Sequence, residues 1–231
     1  MPRVCALLLA VSALVCGCVS TVDGAAVRAA GTAPEVPVLD EAALERILLS
    51  IGEVNGIMGS TGMQVTGEVD QMTDHSDAVS DLDCLGAVYA AEEPVYAGTG
   101  WTAVRDRVAR EPGEDNQHWV EQTVVLYPAA HDADDFFQES SQAWQGCANT
   151  SVGVANGDYS WAIGDLDVDV LDGGVAPLIT QMTTQEDADG WECQHALSAV
   201  SNVTIEAWAC GYRIADEAAE IASAMVKRAI S

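Results

Sequence analysis

Residues 191–210 read WECQHALSAVSNVTIEAWAC, and they carry the strongest structural signal in the chain. β-Branched, aromatic and small apolar residues dominate both halves, and Ser201-Asn202 separates the halves. β-Branched and aromatic residues favour extended strands, whereas Ser and Asn favour tight turns. The stretch therefore predicts a β-hairpin with strands at 191–200 and 203–210.

The register of this hairpin places two cysteines opposite each other. If the loop holds only two residues, Val200 faces Val203, and counting seven positions back along each strand pairs Cys193 with Cys210. This is a non-hydrogen-bonded pair, in which the Cα atoms approach to about 4.5 Å, within the range of about 4.4–6.8 Å found for disulfides. A bulge would shift the register by one residue. Without a bulge, Cys193–Cys210 is the expected disulfide, and the same register places His195 opposite Trp208.

The remaining cysteines complete a second pair. The chain has 7 cysteines, of which three lie within the first 18 residues. The other four form an even set, which in an exported protein indicates two disulfides. Given Cys193–Cys210, the second is Cys84–Cys147. The spacing of these cysteines is not that of zinc ligands, so we expect no metal site.

The rest of the chain mixes helical and strand patterns. Helical periodicity predicts a helix from about Asp40 to Met58, a second over 136–147 and a third from Asp216 to Arg228. Residues Trp101, Val104 and Val108 also fit one helical face. Further strands are predicted at 63–65, 89–96, 119–127, 159–164, 166–171 and 178–184. The mixture predicts one α+β domain, an antiparallel sheet flanked by helices.

The first residues have the features of an export signal. Arg3 precedes an apolar run at 4–15, which is shorter than the ~20 residues of a membrane-spanning helix. Gly17 stands directly before Cys18, as in the lipobox of bacterial lipoproteins, whose cysteine receives a diacylglycerol. We expect 1–17 to be a lipoprotein signal peptide and Cys18 to anchor the protein on the extracytoplasmic face of the cell membrane. An ordinary secreted protein with cysteines near its cleavage site is the alternative.

Composition separates a linker from a folded domain and limits the partners. Residues 18–39 are rich in Ala, Gly, Thr, Val and Pro without periodicity, which predicts a flexible tether before a domain at 40–231. The chain carries 36 acidic and 9 basic residues, for a net charge of −27. Such a charge repels nucleic acid, so we expect no nucleic-acid partner.

Motifs for catalysis or cofactor binding are not found in the sequence. A nucleophile elbow of the form Gly-x-Ser-x-Gly is absent. The run Asp165, Asp167 and Asp169 resembles the start of an EF-hand loop, but Val170 and Ala176 stand where that loop needs Gly and Glu. The histidines are dispersed, at His75, His118, His131 and His195. We therefore expect no catalytic residues, no metal ion and no cofactor.

An ordered set of short elements carries a family resemblance. These are WVEQ at 119–122, VVLYP at 124–128, the 136–144 helix before Cys147, WECQ at 191–194, NVTI at 202–205 and ACG at 209–211. Together they resemble the mycobacterial PknH-like extracellular sensor domain family, which also occurs as stand-alone lipoproteins. The resemblance covers roughly 40–230. The chain departs from the family pattern at His195, where arginine is common, and at Ser201, where asparagine often stands.

The resemblance implies an antiparallel sheet with flanking helices, disulfides joining the first to the second and the third to the fourth late cysteine, and a large central cleft that binds an unidentified ligand. The sequence shows no kinase segment, so we expect a stand-alone lipoprotein rather than a receptor kinase. Candidate residues for the cleft are Trp101, Trp161, Trp208 and His195.

Three functions are open at this point. The first is an envelope lipoprotein with a sensor-like domain that binds a small molecule, lipid or glycan. The second is a carrier of envelope lipids or lipoglycans, which requires a cavity lined almost wholly by apolar side chains. The third is an envelope enzyme, which requires a nucleophile or a carboxylate pair converging in a pocket. We expect the first.

Overall fold

A computed structural model of the chain describes residues 36–113, 116–186 and 188–231. The predicted signal peptide, the lipid-attachment residue Cys18 and most of the tether lie outside these residues. In the part that the structure describes, no helix combines the length and the apolar character needed to cross a bilayer.

The described residues form one antiparallel sheet of eight strands in the order β1-β2-β3-β8-β7-β6-β5-β4. The hairpin of 191–210 therefore lies near the centre of the sheet. The strands are β1 (Gln64–Val69), β2 (Ala103–Arg110), β3 (His118–Leu126), β4 (Ser151–Val154), β5 (Tyr159–Leu171), β6 (Ala176–Gln185), β7 (Trp191–Val200) and β8 (Val203–Tyr212).

Helices cover both faces of this sheet. The α-helices are α1 (Glu41–Ile47), α2 (Ile51–Ile57), α3 (Leu85–Val88), α4 (Glu93–Tyr96), α5 (Ala130–Cys147) and α6 (Glu217–Ala229), with single 3₁₀ turns at Ser76–Ala78, Leu82–Cys84 and Ala155–Gly157. One hydrophobic core lies between the sheet and α1, α2 and α6, and a second lies between the sheet and α3 to α5. We call these two sides the α6 face and the α5 face. The predicted α+β class, an antiparallel sheet flanked by helices, is confirmed.

The central hairpin has the predicted register. Val200 pairs with Val203, Cys193 pairs with Cys210, and no bulge interrupts the ladder. The two cysteines are joined by a disulfide with a Cα–Cα distance of 4.0 Å. Alternate residues of both strands reach opposite cores, because successive side chains of a strand point to opposite faces.

The second disulfide, Cys84–Cys147, is also present, with a Cα–Cα distance of 5.7 Å. It joins the turn before α3 to the last residue of α5. The disulfide therefore holds the 72–97 segment, which lacks strands of its own, against the α5 face.

The predicted helix over 40–58 is wrong in one respect, because it is two helices. The chain leaves the helical conformation at Leu48, whose ψ is 137°. Directly after this residue, the backbone N–H of Leu49 donates to the Oε1 atom of Gln122 at 2.7 Å. The backbone N–H of Ser50 then donates to Glu53 at 2.9 Å, which caps the second helix. The break lets the chain turn across β3 while its polar groups stay bonded.

Two predicted elements have the wrong type. The segment predicted as a strand at 89–96 is instead a short non-helical link after α3 followed by the whole of α4, because Pro94 has no N–H for a ladder but suits the first turn of a helix. The helical face through Trp101, Val104 and Val108 is instead β2, paired along its length with β3. Val104 and Val108 lie on one face of this strand and Arg105 and Arg107 on the other, as the period of two requires.

The last third of the sheet differs in detail. The two strands predicted at 159–164 and 166–171 are one strand, β5, whose pairing with β6 is irregular between Ile163 and Leu166. Strand β4 lies in a stretch that the sequence left unassigned. It forms the sheet edge and pairs only with residues 159–162 of β5.

Candidate functional site

A cavity of about 560 Å³ opens on the α5 face of the sheet, and we call it the cleft. Helix α5 packs mainly on β5, β7 and β8, so the neighbouring part of this face is not covered by it. Strands β2, β3, β7 and β8 line the cleft from one side, and residues 73–90 and 154–161 line it from the other. The second disulfide fixes the 73–90 wall, because Cys84 lies within it.

The strand register brings specific side chains to the cleft floor. Asp106 and Val108 of β2, Trp119 and Glu121 of β3, and Trp208 of β8 all line it. In each strand these residues are two positions apart and therefore share one face. Across the strands, Glu121 pairs with both Val108 and Trp208. The floor thus combines carboxyl groups with indole rings, and Glu121 lies directly opposite Trp208.

Aromatic rings dominate the lining of the cleft. The Trp119 and Trp208 rings meet edge to face with centroids 6.4 Å apart. The indole Nε1 of Trp208 is buried and has no hydrogen-bond partner among the described residues. Tyr89 stacks on His75 with centroids 4.5 Å apart. The aromatic residues that line the cleft are Tyr89, Trp119, Tyr159, Trp161, Trp191 and Trp208.

Asp106 and Glu121 form a carboxyl pair on the floor. Their side chains are close enough to share a hydrogen bond, and the Thr123 hydroxyl donates to Oδ1 of Asp106 at 2.6 Å. Burial, followed by the charge of Asp106, raises the pKa of Glu121 well above its ordinary value. Burial also raises the pKa of Asp106, and the charge of Glu206 adds to this. The pair therefore retains a proton at a pH where exposed carboxyl groups have lost theirs.

Further acidic groups lie behind this pair. Glu206 is buried beneath α5, where it accepts a hydrogen bond from the Tyr96 hydroxyl and lies 3.0 Å from Nε2 of His195. Burial, followed by the charge of Glu206, raises the pKa of Tyr96 well above its ordinary value. Glu92 is completely buried, and its Oε1 lies 2.5 Å from Nδ1 of His75. The negative potential at the cleft floor thus comes from more than the carboxyl groups of Asp106 and Glu121.

Basic side chains are scarce on this side of the sheet. Of the described residues that line the cleft, His75 is the one base, and it is paired with Glu92. Arg105 and Arg107 alternate with Asp106 along β2 and reach acidic residues away from the floor, on α1 and β1. The carboxyl pair therefore has no positively charged side chain as its partner in the described structure.

The structure places the four candidate residues in two groups. Trp161 and Trp208 line the cleft, whereas Trp101 and His195 are not part of its lining. Trp101 is partly buried against the core of the α5 face. His195 is completely buried and packs against Trp208, as its register predicted, at 4.5 Å, and against Trp144 of α5 at 4.2 Å. The helix therefore covers His195 and separates it from the open part of the face.

Sequence reasoning missed the carboxyl pair. Asp106 lies in the stretch that was interpreted as a helix, so its position on one strand face between Val104 and Val108 was not used. Glu121 lies in a strand that was predicted correctly, but the partner strand was not known. An acidic residue in the middle of an apolar strand pattern was the available signal, since buried charges in strands are rare.

The chemistry of the pair favours binding over hydrolysis. The two catalytic carboxyl groups of glycosidases lie about 5 Å or more apart, to leave room for the substrate or a water. Asp106 and Glu121 are close enough for each to shift the pKa of the other through a hydrogen bond, which requires a shorter spacing than this. Within residues 36–113, 116–186 and 188–231, no three His, Cys, Asp or Glu side chains converge closely enough to hold a metal ion. The domain is not shown to be catalytic.

Comparison with known proteins agrees with this architecture. The family model described as the PknH-like extracellular domain matches residues 39–228. The chain is 42% identical over 205 residues to serine/threonine-protein kinase PknH of Mycobacterium tuberculosis, covering 88% of this chain and 32% of that protein. It is 42% identical over 197 residues to PknH of Mycobacterium bovis, again covering 32% of that protein. The chain thus spans about a third of the length of the curated relatives that it matches.

A solved structure shows the same fold. The crystal structure of the extracellular domain of PknH from Mycobacterium tuberculosis superimposes with a TM-score of 0.77 at 39% identity, covering 84% of this chain and 97% of that one. Residues 39–228, which the family model matches, contain all eight strands and both cysteine pairs. Since the family model covers most of the chain, the protein belongs to the family of PknH-like extracellular domains.

Proposed function

We propose that this protein is a membrane-anchored, extracytoplasmic lipoprotein whose domain binds a ligand in the cleft, as a sensor does. The observation that supports it best is the cleft itself, about 560 Å³ in volume and lined mainly by aromatic and apolar side chains with a few polar groups. Ligand sites in proteins have this size and composition. Family membership places the domain outside the cytoplasm, consistent with its two disulfides.

The polar floor favours this role over lipid carriage. A carrier of acyl chains needs a cavity with an almost wholly apolar lining, because a buried polar group that loses water costs free energy when it meets only hydrocarbon. The cleft contains Asp106, Asn116, Glu121 and Gln185. These groups fit a ligand that has polar or charged parts. The carrier role remains the alternative, and the composition of the natural ligand would distinguish the two.

Filling the cleft should displace the natural ligand. Val108 lines the cleft on β2, and tryptophan suits a strand position, so Val108→Trp should occupy part of the ligand volume while the sheet stays intact. Native mass spectrometry of protein purified from its own envelope should show an added mass on the wild type and little or none on this variant.

The matched control is Val168→Trp, which makes the same substitution at an exposed position of β5 away from the cleft. This variant should retain the added mass. If Val108→Trp retained the added mass as fully as the wild type does, the ligand would lie outside the cleft. A wild-type protein that neither carries nor binds a ligand would contradict the proposed function.

Lipid attachment is a separate part of the proposal. It is supported by the apolar run at 4–15 and by Gly17 directly before Cys18. When cells are labelled with a radioactive fatty acid, the wild type and Cys16→Ala should incorporate the label, whereas Cys18→Ala should not and should leave the membrane fraction. Equal labelling of all three proteins would contradict attachment at Cys18.

A further inference from the structure

We propose that the cleft takes an organic cation whose nitrogen is alkylated, with its N-alkyl groups against the tryptophan rings and its charge beside Asp106 and Glu121. This rests on the proposed ligand-binding function and adds the chemical class of the ligand. The juxtaposition that carries it is a cluster of aromatic rings and a carboxyl pair without a basic partner, on the same floor of one cavity.

The aromatic part of the argument concerns the indole rings. Trp119 and Trp208 lie on the floor, and Trp161 and Trp191 also line the cleft. The face of an indole is the most favourable aromatic surface for a cation, because its π electrons give it a negative face. Several such rings around one cavity are typical of sites for alkylated ammonium groups.

The charge part concerns the carboxyl pair. Two carboxyl groups that are removed from water destabilise the structure unless a cation or a proton compensates them. Neither has a basic side chain as partner among the described residues, and Arg105 and Arg107 are engaged by Glu41, Glu45 and Glu68. A cationic ligand would supply the missing positive charge and would take the place of the shared proton.

The same charges disfavour other ligands. An anion would meet the carboxyl pair with Glu206 and Glu92 behind it, in a protein with a net charge of −27, so phosphates and carboxylates would be repelled. A neutral apolar molecule would leave the carboxyl pair without a partner. An alkylated organic cation can interact favourably both with the aromatic rings and with the carboxyl pair of the floor.

The degree of alkylation follows from the lining of the cleft, most of which is apolar or aromatic. A bare ammonium group has three N–H donors and loses strong hydration on entering a cavity, so it needs several acceptors in return. Besides the carboxyl pair, the polar side chains that line the cleft are Thr73, His75, Asn116 and Gln185, together with the hydroxyl groups of Tyr89 and Tyr159. Of these, His75 is already engaged by Glu92. An alkylated nitrogen presents few or no N–H groups and suits such a lining better.

The test uses two probes of nearly equal shape, choline and 3,3-dimethyl-1-butanol, in which carbon replaces the charged nitrogen. Tryptophan fluorescence reports binding, since four tryptophans line the cleft, and calorimetry confirms the stoichiometry. We expect choline to bind about tenfold more tightly than the neutral alcohol, the size of effect that a partly desolvated cation–π site produces.

Variants separate the carboxyl pair from the overall charge. The isosteric double substitution Asp106→Asn with Glu121→Gln removes the carboxyl groups and keeps the tryptophan rings, so it should reduce the preference for choline clearly and leave binding of the alcohol unchanged. The control is Asp167→Asn with Asp169→Asn, which removes two exposed carboxyl groups of β5 that do not line the cleft, and the preference should persist. Circular dichroism checks that each variant is folded.

The outcomes distinguish this inference from the proposed function. Equal affinity for the two probes, or an unchanged preference in the amide variant, would overturn the cation assignment and leave ligand binding intact. The same holds if neither probe binds while the natural protein carries a neutral or anionic molecule that Val108→Trp displaces. If neither probe binds and the natural protein carries no ligand, both proposals fail.

Discussion

Replacing Cys84 and Cys147 together by alanine is expected to lower the free energy of unfolding by about 4 kcal/mol. The two residues are 63 positions apart, so their disulfide closes a long loop in the unfolded chain and restricts its entropy more than a short loop would. Natural domains have a net stability of about 5–15 kcal/mol, so this loss removes a large share of it. Urea unfolding followed by circular dichroism measures the change.

The other disulfide provides the comparison. Cys193 and Cys210 are 17 positions apart, and their replacement by alanine should cost about 3 kcal/mol, less than the first pair. All four cysteines are buried. The two losses of unfolding free energy are therefore compared at sites of similar exposure. If thiol titration of the unfolded, unreduced domain found these four groups free, or if the first variant were as stable as the wild type, the disulfides could not have the stabilising role assigned to them.

The loss of the first disulfide also has a local consequence. The 73–90 wall of the cleft is attached to α5 through Cys84, and it contains the His75–Tyr89 stack. Without the bond, this wall loses its covalent link to α5, whereas the strands of the floor keep their ladder pairing. Any ligand bound in the cleft should therefore dissociate more readily from the double variant even under conditions where the sheet remains folded.

Replacing Trp144 by alanine should cost about 3–5 kcal/mol of unfolding free energy, the usual range for a large buried aromatic residue. Trp144 is 2% exposed, and it is the residue of α5 that packs against His195. Its carbonyl oxygen also accepts a hydrogen bond from the buried Gln181 side chain at 3.1 Å. Truncation would leave a cavity between the helix and the centre of the sheet.

Two controls define this effect. Trp144→Phe retains a ring in the same place and should cost clearly less than the alanine variant, because the cavity is smaller. Tyr159→Ala removes an aromatic residue that is 50% exposed and should change the stability by about 0.5 kcal/mol or less. The change in unfolding free energy of each variant is measured from its midpoint in urea, provided that the slope of the free energy against urea concentration is unchanged. Equal losses for Trp144→Ala and Tyr159→Ala would show that α5 does not depend on this contact.

The elements predicted correctly from the sequence are those whose signals are local. The hairpin of 191–210 has its strands and its turn within twenty residues, so its register and the Cys193–Cys210 pair followed from counting. The C-terminal helix has its acidic first turn, basic last turn and apolar stripe in one continuous segment. Both patterns are set by backbone geometry over a few residues.

The elements that were predicted wrongly depend on distant partners. The helix over 40–58 is broken because the side chain of Gln122, over seventy residues away, accepts from the backbone of Leu49. Strand β2 was interpreted as a helix because Trp101, Val104 and Val108 fit a helical period, and so short a segment does not exclude that period until the neighbouring strands are known. In each case tertiary contacts overrode the local preference.

The sequence by itself determined the export-compatible cysteine set, the central hairpin, the α+β class and the family, because each depends on residue types at short or fixed spacings. The tertiary structure alone brought Asp106, Glu121 and Glu206 onto one side of the sheet next to four tryptophans. These three acidic residues come from three strands, and the order in which strands pair is decided by packing over the whole domain. The cleft and its charge follow from that packing.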